Sequence, residues 1–227
     1  MDNKTANQNT SHRILDIAER LVQTGGFNSF SYADIAAELG LTKASLHYHF
    51  PSKGDLGNKL IERYETTVLA ALAEIDQDTN DPISKLRRYA DLYATVLRNN
   101  RMCCCGVLSA EYSTLPPPMQ ESLKHYFDVN ERWLAAVLSA GREAGRLSFE
   151  REPTEVAQLL VSSLEGANMI AYSYGDPKRF ERTAELLLAG FEPKAESPPP
   201  GDATIAGGYR ARRPRRDHPA QTRRTLV

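Results

Sequence analysis

The sequence predicts an all-α fold. Apolar residues recur three and four positions apart in segment after segment, the spacing that lines one face of a helix. Those segments begin at Ser, Thr or Asp and end at Gly or before Pro, the residues that cap and stop helices. No run alternates apolar and polar residues between hairpin turns, so no β-sheet is expected.

Each element follows from these signals. Residues 1–10 are polar and are expected to form a flexible N-terminus. From Ser11, a plausible cap, Ile14, Leu15, Ala18, Leu21 and Val22 keep helical spacing until Gly25-Gly26. Ser31 caps a short helix bearing Ile35, Ala36 and Leu39, which Gly40 stops. Thr42 caps the next, Lys43 to Phe50. Pro51 breaks the chain, and Ser52 caps a long helix to about Ile75. Asp81-Pro82 opens a helix carrying Leu86, Tyr89, Tyr93 and Leu97, and a shorter one is predicted over Met102 to Tyr112. After Pro116-Pro117-Pro118, a long helix with Leu123, Phe127, Trp133 and Leu138 runs to Gly145. Thr154 starts a helix through about Tyr172, and Asp176-Pro177 starts the last, ending near Phe191. The total is about nine helices. From 192 to 227 the composition turns to Pro, Gly and Arg without apolar period, so a disordered tail is expected, either simply solvated or weakly attracted to DNA.

Composition narrows the function. A chain of 227 residues can bury a real core in one large or two small domains. With 41% hydrophobic and 25% charged residues it reads as an ordinary soluble protein rather than a fibrous or wholly disordered one. The net charge of -1 means that any surface for nucleic acid must be local. No run approaches the roughly 18 apolar residues of a membrane span, and the start lacks a signal peptide's apolar core, so no membrane partner and a cytoplasmic location are expected. Cys103, Cys104 and Cys105 are consecutive. They cannot form a spaced disulfide framework, and on a helix neighbours point about 100° apart. No metal and no cofactor is expected. Nucleotide-binding loops, the serine-hydrolase elbow and the zinc-protease motif are all absent, so the chain is expected not to be an enzyme; a thiol-dependent one is the remote alternative.

The stretch Leu41 to Leu56, LTKASLHYHFPSKGDL, carries lysines, histidines and a tyrosine with no acidic residue before Asp55. Two short helices joined through Gly40-Leu41-Thr42 describe a helix-turn-helix over residues 11–56, the second helix reading DNA. The acid-free face suits phosphates, which a carboxylate would repel. His47 and His49 lie two apart and face different directions, which argues against a shared metal.

Together with the segment before it, this stretch resembles the DNA-binding domain of TetR-family transcriptional regulators. The matching residues are Gly26-Phe27, Ile35-Ala36, Gly40, Tyr48, His49-Phe50, Ser52-Lys53 and Leu56. The resemblance implies operator DNA as partner and a helix-turn-helix head joined by a long helix to a helical ligand-binding and dimerisation domain, residues 57–191. Thr42, Lys43, Ala44, Ser45, His47, Tyr48 and His49 are then expected at the DNA. Ser31 and Tyr32 are expected to touch its backbone from the supporting helix, and Lys53 to add a cation at the next helix start. Phe50 reads as a core plug.

For the second half the resemblance implies a homodimer built from the last two helices and a pocket for a small-molecule effector between the middle ones. Leu159, Ser163, Gly166, Ala167 and Ile170 are the expected dimer face, although they could pack within one subunit. Tyr89, Tyr93, Met102, Cys103, Leu108, Glu111, Tyr112, Tyr126, Asn130, Trp133 and Met169 are the expected pocket; aromatic residues at this spacing also suit plain core. Glu165 is a further polar candidate. The Cys103-to-Glu111 segment resembles members that respond to electrophiles. Cys103 near a helix start and Arg101 would have a favoured thiolate, or would be a small core residue. A repressor released by its effector is expected, with a ligand-independent DNA binder as the alternative.

Overall fold

Caps and breakers divide the chain of the computed structural model, which describes residues 3–193, into α-helices. Among these residues there are nine, with no strand. They are α1 (Asn3–Gly25), α2 (Tyr32–Leu39), α3 (Lys43–His49), α4 (Lys53–Asp78), α5 (Pro82–Arg98), α6 (Cys104–Ala110), α7 (Pro117–Glu143), α8 (Pro153–Ser173) and α9 (Pro177–Ala189). The expected tail from 194 onward lies outside the described residues. Glu192, assigned to that tail by composition, instead forms an ion pair of 2.8 Å with Arg87.

The short helices begin where their caps predict. Ser31 and Asp34 form a reciprocal capping box at α2, Ser52 and Asp55 another at α4, and Thr42 accepts from the Ser45 amide at α3. Gly40 stops α2 with a left-handed φ of 66°, a conformation that glycine adopts without a side-chain clash.

Four boundaries differ from expectation. Helix α1 starts at Asn3 rather than Ser11, because nothing between them breaks propagation of the helix. Helix α3 ends at His49: the ring of Pro51 forces Phe50 to extended backbone, φ −136° and ψ 102°. Helix α4 continues to Asp78, past its expected end near Ile75. Helix α6 is shorter than Met102 to Tyr112, and the two amides before it find tertiary partners. Met102 N–H donates to the Gln23 carbonyl at 3.1 Å, and Cys103 N–H to Asn168 Oδ1 at 3.0 Å.

The apolar faces merge into one core running from Ile14, Ile35 and Leu46 through Leu60 and Tyr89 to Leu138 and Phe180. Helix α7 lies along α4 and α8, α9 packs on α5 and α8, and α1 bridges α2, α4 and α6. Arg63 on α4 pairs with Asp16 and Glu19 on α1, each at 2.6 Å, which fixes the head helix against the connecting one. No described helix is long and apolar enough to cross a membrane.

Candidate functional site

The exposed face of α3 is assembled by spacing alone. Leu46 and Phe50 point into the core, and Lys43, Ala44, His47 and Tyr48 share the opposite side of the helix, all exposed. Tyr48 is 76% exposed, its ring held only edge-on by His49 at 5.4 Å. Thr42 and Ser45 hydroxyls lie 3.0 Å apart at the helix start. His47 Nδ1 lies 3.0 Å from the Pro51 carbonyl and its ring sits 4.8 Å from that of Tyr32, so its position is set while its other edge is free to reach outward. His49 is half-buried between Tyr48 and Phe50. Ser31 is exposed, with its hydroxyl engaged in the α2 capping box.

Two expected DNA contacts are corrected. Tyr32 is buried; its hydroxyl lies 2.8 Å from the Phe50 carbonyl and 2.6 Å from that of Ser52, donating between them. Burial, with a smaller contribution from the Asp55 charge, pushes it up to about 12. Tyr32 is thus the bolt that fixes the α3–α4 corner. Lys53 is half-buried, with its ammonium on the carbonyls of Phe27 and Phe30 and over both rings at 4.5 and 4.2 Å. Burial pulls its pKa below that of a free lysine. It holds the turn before α2 rather than facing outward.

In the second half, the expected pocket residues divide. Tyr89, Tyr93, Cys103, Tyr126 and Asn130 do surround one cavity, of about 20 Å³. That is room for about one water, not for an effector. Tyr89 donates to Asn130 Oδ1 at 3.1 Å, and Asn130 Nδ2 to the Tyr126 carbonyl at 2.8 Å. Leu108 is plain core, and Trp133 stacks on Tyr89 and donates to Asp76. Met102 and Tyr112 are half-buried packing against the core. Glu111 is displaced furthest from expectation: its carboxylate accepts from the amides of Phe27 and Asn28 in the head. These assignments depend on contacts tens of residues apart, which periodicity cannot report.

Cys103 is also corrected. All three cysteines are buried, and burial first, then the neighbouring Glu165 carboxyl, holds the Cys103 thiol well above its usual range. The thiolate is disfavoured despite the adjacent helix start. The Tyr64 hydroxyl reaches its sulfur at 3.8 Å.

A larger space lies on the other side of α6. A groove of about 510 Å³ runs between α6, α7 and α8, lined by Gly106, Phe127, Glu131, Val161, Glu165 and Met169 among others. Its size suits a small organic molecule. Of the expected pocket residues Met169 reaches it, and so does Glu165, the further polar candidate. The signal in the sequence was Glu165 itself, a carboxylate four residues after Val161 in an otherwise apolar-faced helix.

The expected dimer face is open. Leu159 and Ile170 are 54% and 52% exposed, Ser163 and Ala167 are half-buried, and Gly166 has open space where a side chain would be. Tyr174 and Leu186 are further exposed apolar side chains on or beside α8 and α9.

Residues 14–59 match the family model described as bacterial regulatory proteins, tetR family. Residues 82–187 match the tetracyclin repressor-like C-terminal domain. A TetR-family transcriptional regulator from Agrobacterium tumefaciens is 32% identical, with a TM-score of 0.80 over 82% of this chain and 100% of that one. A TetR transcriptional regulator from Legionella pneumophila is 31% identical, with a TM-score of 0.72 over 79% of this chain and 96% of the other. Among curated relatives, the HTH-type transcriptional repressor NemR of Escherichia coli strain K12 is 27% identical over 74% of this chain and 87% of its own length. The nucleoid occlusion factor SlmA of Photobacterium profundum is 26% identical over 81% and 97%.

Proposed function

This chain belongs to the TetR family of DNA-binding transcriptional regulators, and on that premise we propose that it is a homodimeric repressor released from its operator by a small molecule. The observation that carries the DNA side is the acid-free face of α3, where Lys43, Ala44, His47 and Tyr48 stand clear of the core. A lysine and a tyrosine hydroxyl on one helix face can contact phosphates and base edges of one major groove. A two-fold operator needs two such helices about one helical turn apart, and the open apolar stripe around Leu159, Gly166 and Ile170 supports pairing of two copies.

The effector reading rests on the groove beside α6, since the internal cavity holds no more than a water. A molecule lodged against Gly106 bears on α6, and Glu111 ends that helix with its carboxylate on the head. A shift of α6 would therefore reach the spacing of the two heads. A coupling of about 1–3 kcal/mol changes operator affinity roughly 5–150-fold, enough for release.

The test is a gel-shift with a fragment selected from genomic DNA by the protein itself. Lys43→Ala and Tyr48→Ala should each weaken retention by about tenfold or more, at about 1–3 kcal/mol per contact, with unchanged melting. Unchanged retention in both would remove α3 as the reading helix. The likeness to nucleoid occlusion factors favours one other reading, DNA binding that answers to no small molecule; retention indifferent to every groove ligand would select it.

A further inference from the structure

Glu165 is the one carboxylate among the described residues that is buried with both oxygens lacking a hydrogen-bond donor. It lies on the groove between α6, α7 and α8, and the fold makes room for it there. A methyl group on Gly106 would overlap Glu165 Oε2, so the glycine of α6 gives the carboxylate its seat. Nearby polar groups relieve it only in part. Burial raises its pKa to about 7, although the Cys103 thiol and the Tyr93 hydroxyl, placed to hydrogen-bond toward it, pull the other way. An uncompensated carboxylate inside a fold is costly to keep, and such groups concentrate where a ligand completes them.

The rest of the groove restricts what that ligand is. Glu131 brings a second carboxylate from α7, and no lysine, arginine or histidine is among the lining residues. An anion would meet only like charge. A neutral apolar molecule would leave Glu165 without a partner. Among the described residues no three metal-ligating side chains come together, so a bare metal ion lacks ligands. Phe127, Val161 and Met169 offer apolar surface beside the two carboxylates. On α8 the groove residues Ser162, Glu165 and Met169 precede the open stripe Ser163, Gly166 and Ile170 by one position each, about 100° around the helix, so a partner copy on that stripe leaves the groove to its own side.

The geometry points to an organic cation as the groove's ligand, an amphipathic amine whose protonated nitrogen pairs with Glu165, the carboxylate turning out from beneath Gly106 to meet it, while its apolar body lies on Phe127, Val161 and Met169. This deepens the effector reading above and rests on it. Its recognition is electrostatic and non-covalent: the nitrogen supplies the donor that Glu165 lacks, and the second carboxylate at Glu131 raises the local preference for positive charge.

The test uses the full chain and three probes of matched shape: phenethylammonium, phenethyl alcohol and phenylpropanoate, titrated by calorimetry at about pH 8, where Glu165 is ionised. Phenethylammonium should bind saturably and more tightly than the alcohol, and phenylpropanoate should not bind. Glu165→Gln, nearly isosteric, should weaken phenethylammonium by about tenfold or more and leave the alcohol unchanged. Equal binding of the cation and the alcohol by the unaltered chain, or no binding of the cation at all, would overturn the inference without recourse to any variant. The same probes are then added to the protein on its selected DNA fragment. Cation binding without loss of DNA would leave the site standing and defeat the effector reading; intact DNA binding with no cation binding would defeat the site alone.

Discussion

The Glu111 carboxylate accepts a hydrogen bond of 2.6 Å from the backbone N–H of Phe27, across 84 residues of chain. A second reaches it from Asn28 N–H at 3.3 Å, and Asn28 Nδ2 donates to Thr114 Oγ1 at 2.8 Å. Gly26, with φ 93°, lies so close that a Cβ there would come within 2.7 Å of Glu111 Oε1. The last residue of the α6 segment and the single turn before α2 are thus one latch between the C-terminal half and the helix-turn-helix head.

Glu111→Ala removes a charged acceptor from two amides. The head should lose about 1.5–3 kcal/mol of local stability, and hydrogen exchange at Phe27 and Asn28 should accelerate accordingly. Exchange rates unchanged at both amides would show that the latch carries no energy.

Tyr32 separates structural from contacting residues. Tyr32→Phe keeps the ring and deletes the hydroxyl that ties the carbonyls of Phe50 and Ser52. A loss of about 1–3 kcal/mol in urea denaturation is expected, the cost of leaving buried acceptors unpaired, whereas Tyr48→Phe, at an exposed ring, should leave stability within about 0.5 kcal/mol. Equal stability of the two variants would return Tyr32 to the list of DNA contacts.

The Gly106–Glu165 approach is testable as a cycle. Gly106→Ala forces overlap with the carboxylate and should cost about 1–3 kcal/mol, despite the better helix propensity of alanine. In a Glu165→Ala background the same change meets no carboxylate and should be neutral or stabilising. Additive effects would mean that the two residues do not share the space.

Glu165 also predicts a pH dependence. Its folded-state pKa is raised by burial to about 7 from an ordinary 4.5, with Cys103 just before α6 and Tyr93 of α5 opposing. The folded chain therefore binds the proton more tightly than the unfolded one. The stability this contributes is fully present below about pH 4.5 and is lost as pH rises through about 7. Relative to the unaltered chain, Glu165→Gln should gain stability over that window, by on the order of 3 kcal/mol at most. Urea midpoints at the two ends measure it, and a difference independent of pH would sink the prediction.

The cysteines should be slow. Burial raises all three thiols, so a thiol reagent near neutral pH should label Cys103, Cys104 and Cys105 only as fast as the chain opens. Rapid labelling of Cys103 in the folded protein would restore it as a sensor.

The sequence by itself determined the helices of this protein and which face of α3 is exposed. Caps at Ser31, Thr42 and Ser52, stops at Gly40 and Pro51, and the 3.6-residue period act within a few residues, so they are written locally. The buried status of Phe50 followed from the same periodicity. What only the tertiary structure decided is the fate of single polar side chains. Tyr32 and Lys53 sit in the right stretch to touch DNA, yet the fold turns them inward onto carbonyls of the same head. Glu111 has the spacing of a pocket residue but meets amides 84 and 83 positions away. Cys103 begins a helix, which favours a thiolate, but burial beside Glu165 prevails. Burial and partner choice arise from contacts between segments far apart in the chain, and a desolvated charge or an orphaned carboxylate exists only once those segments have closed around it.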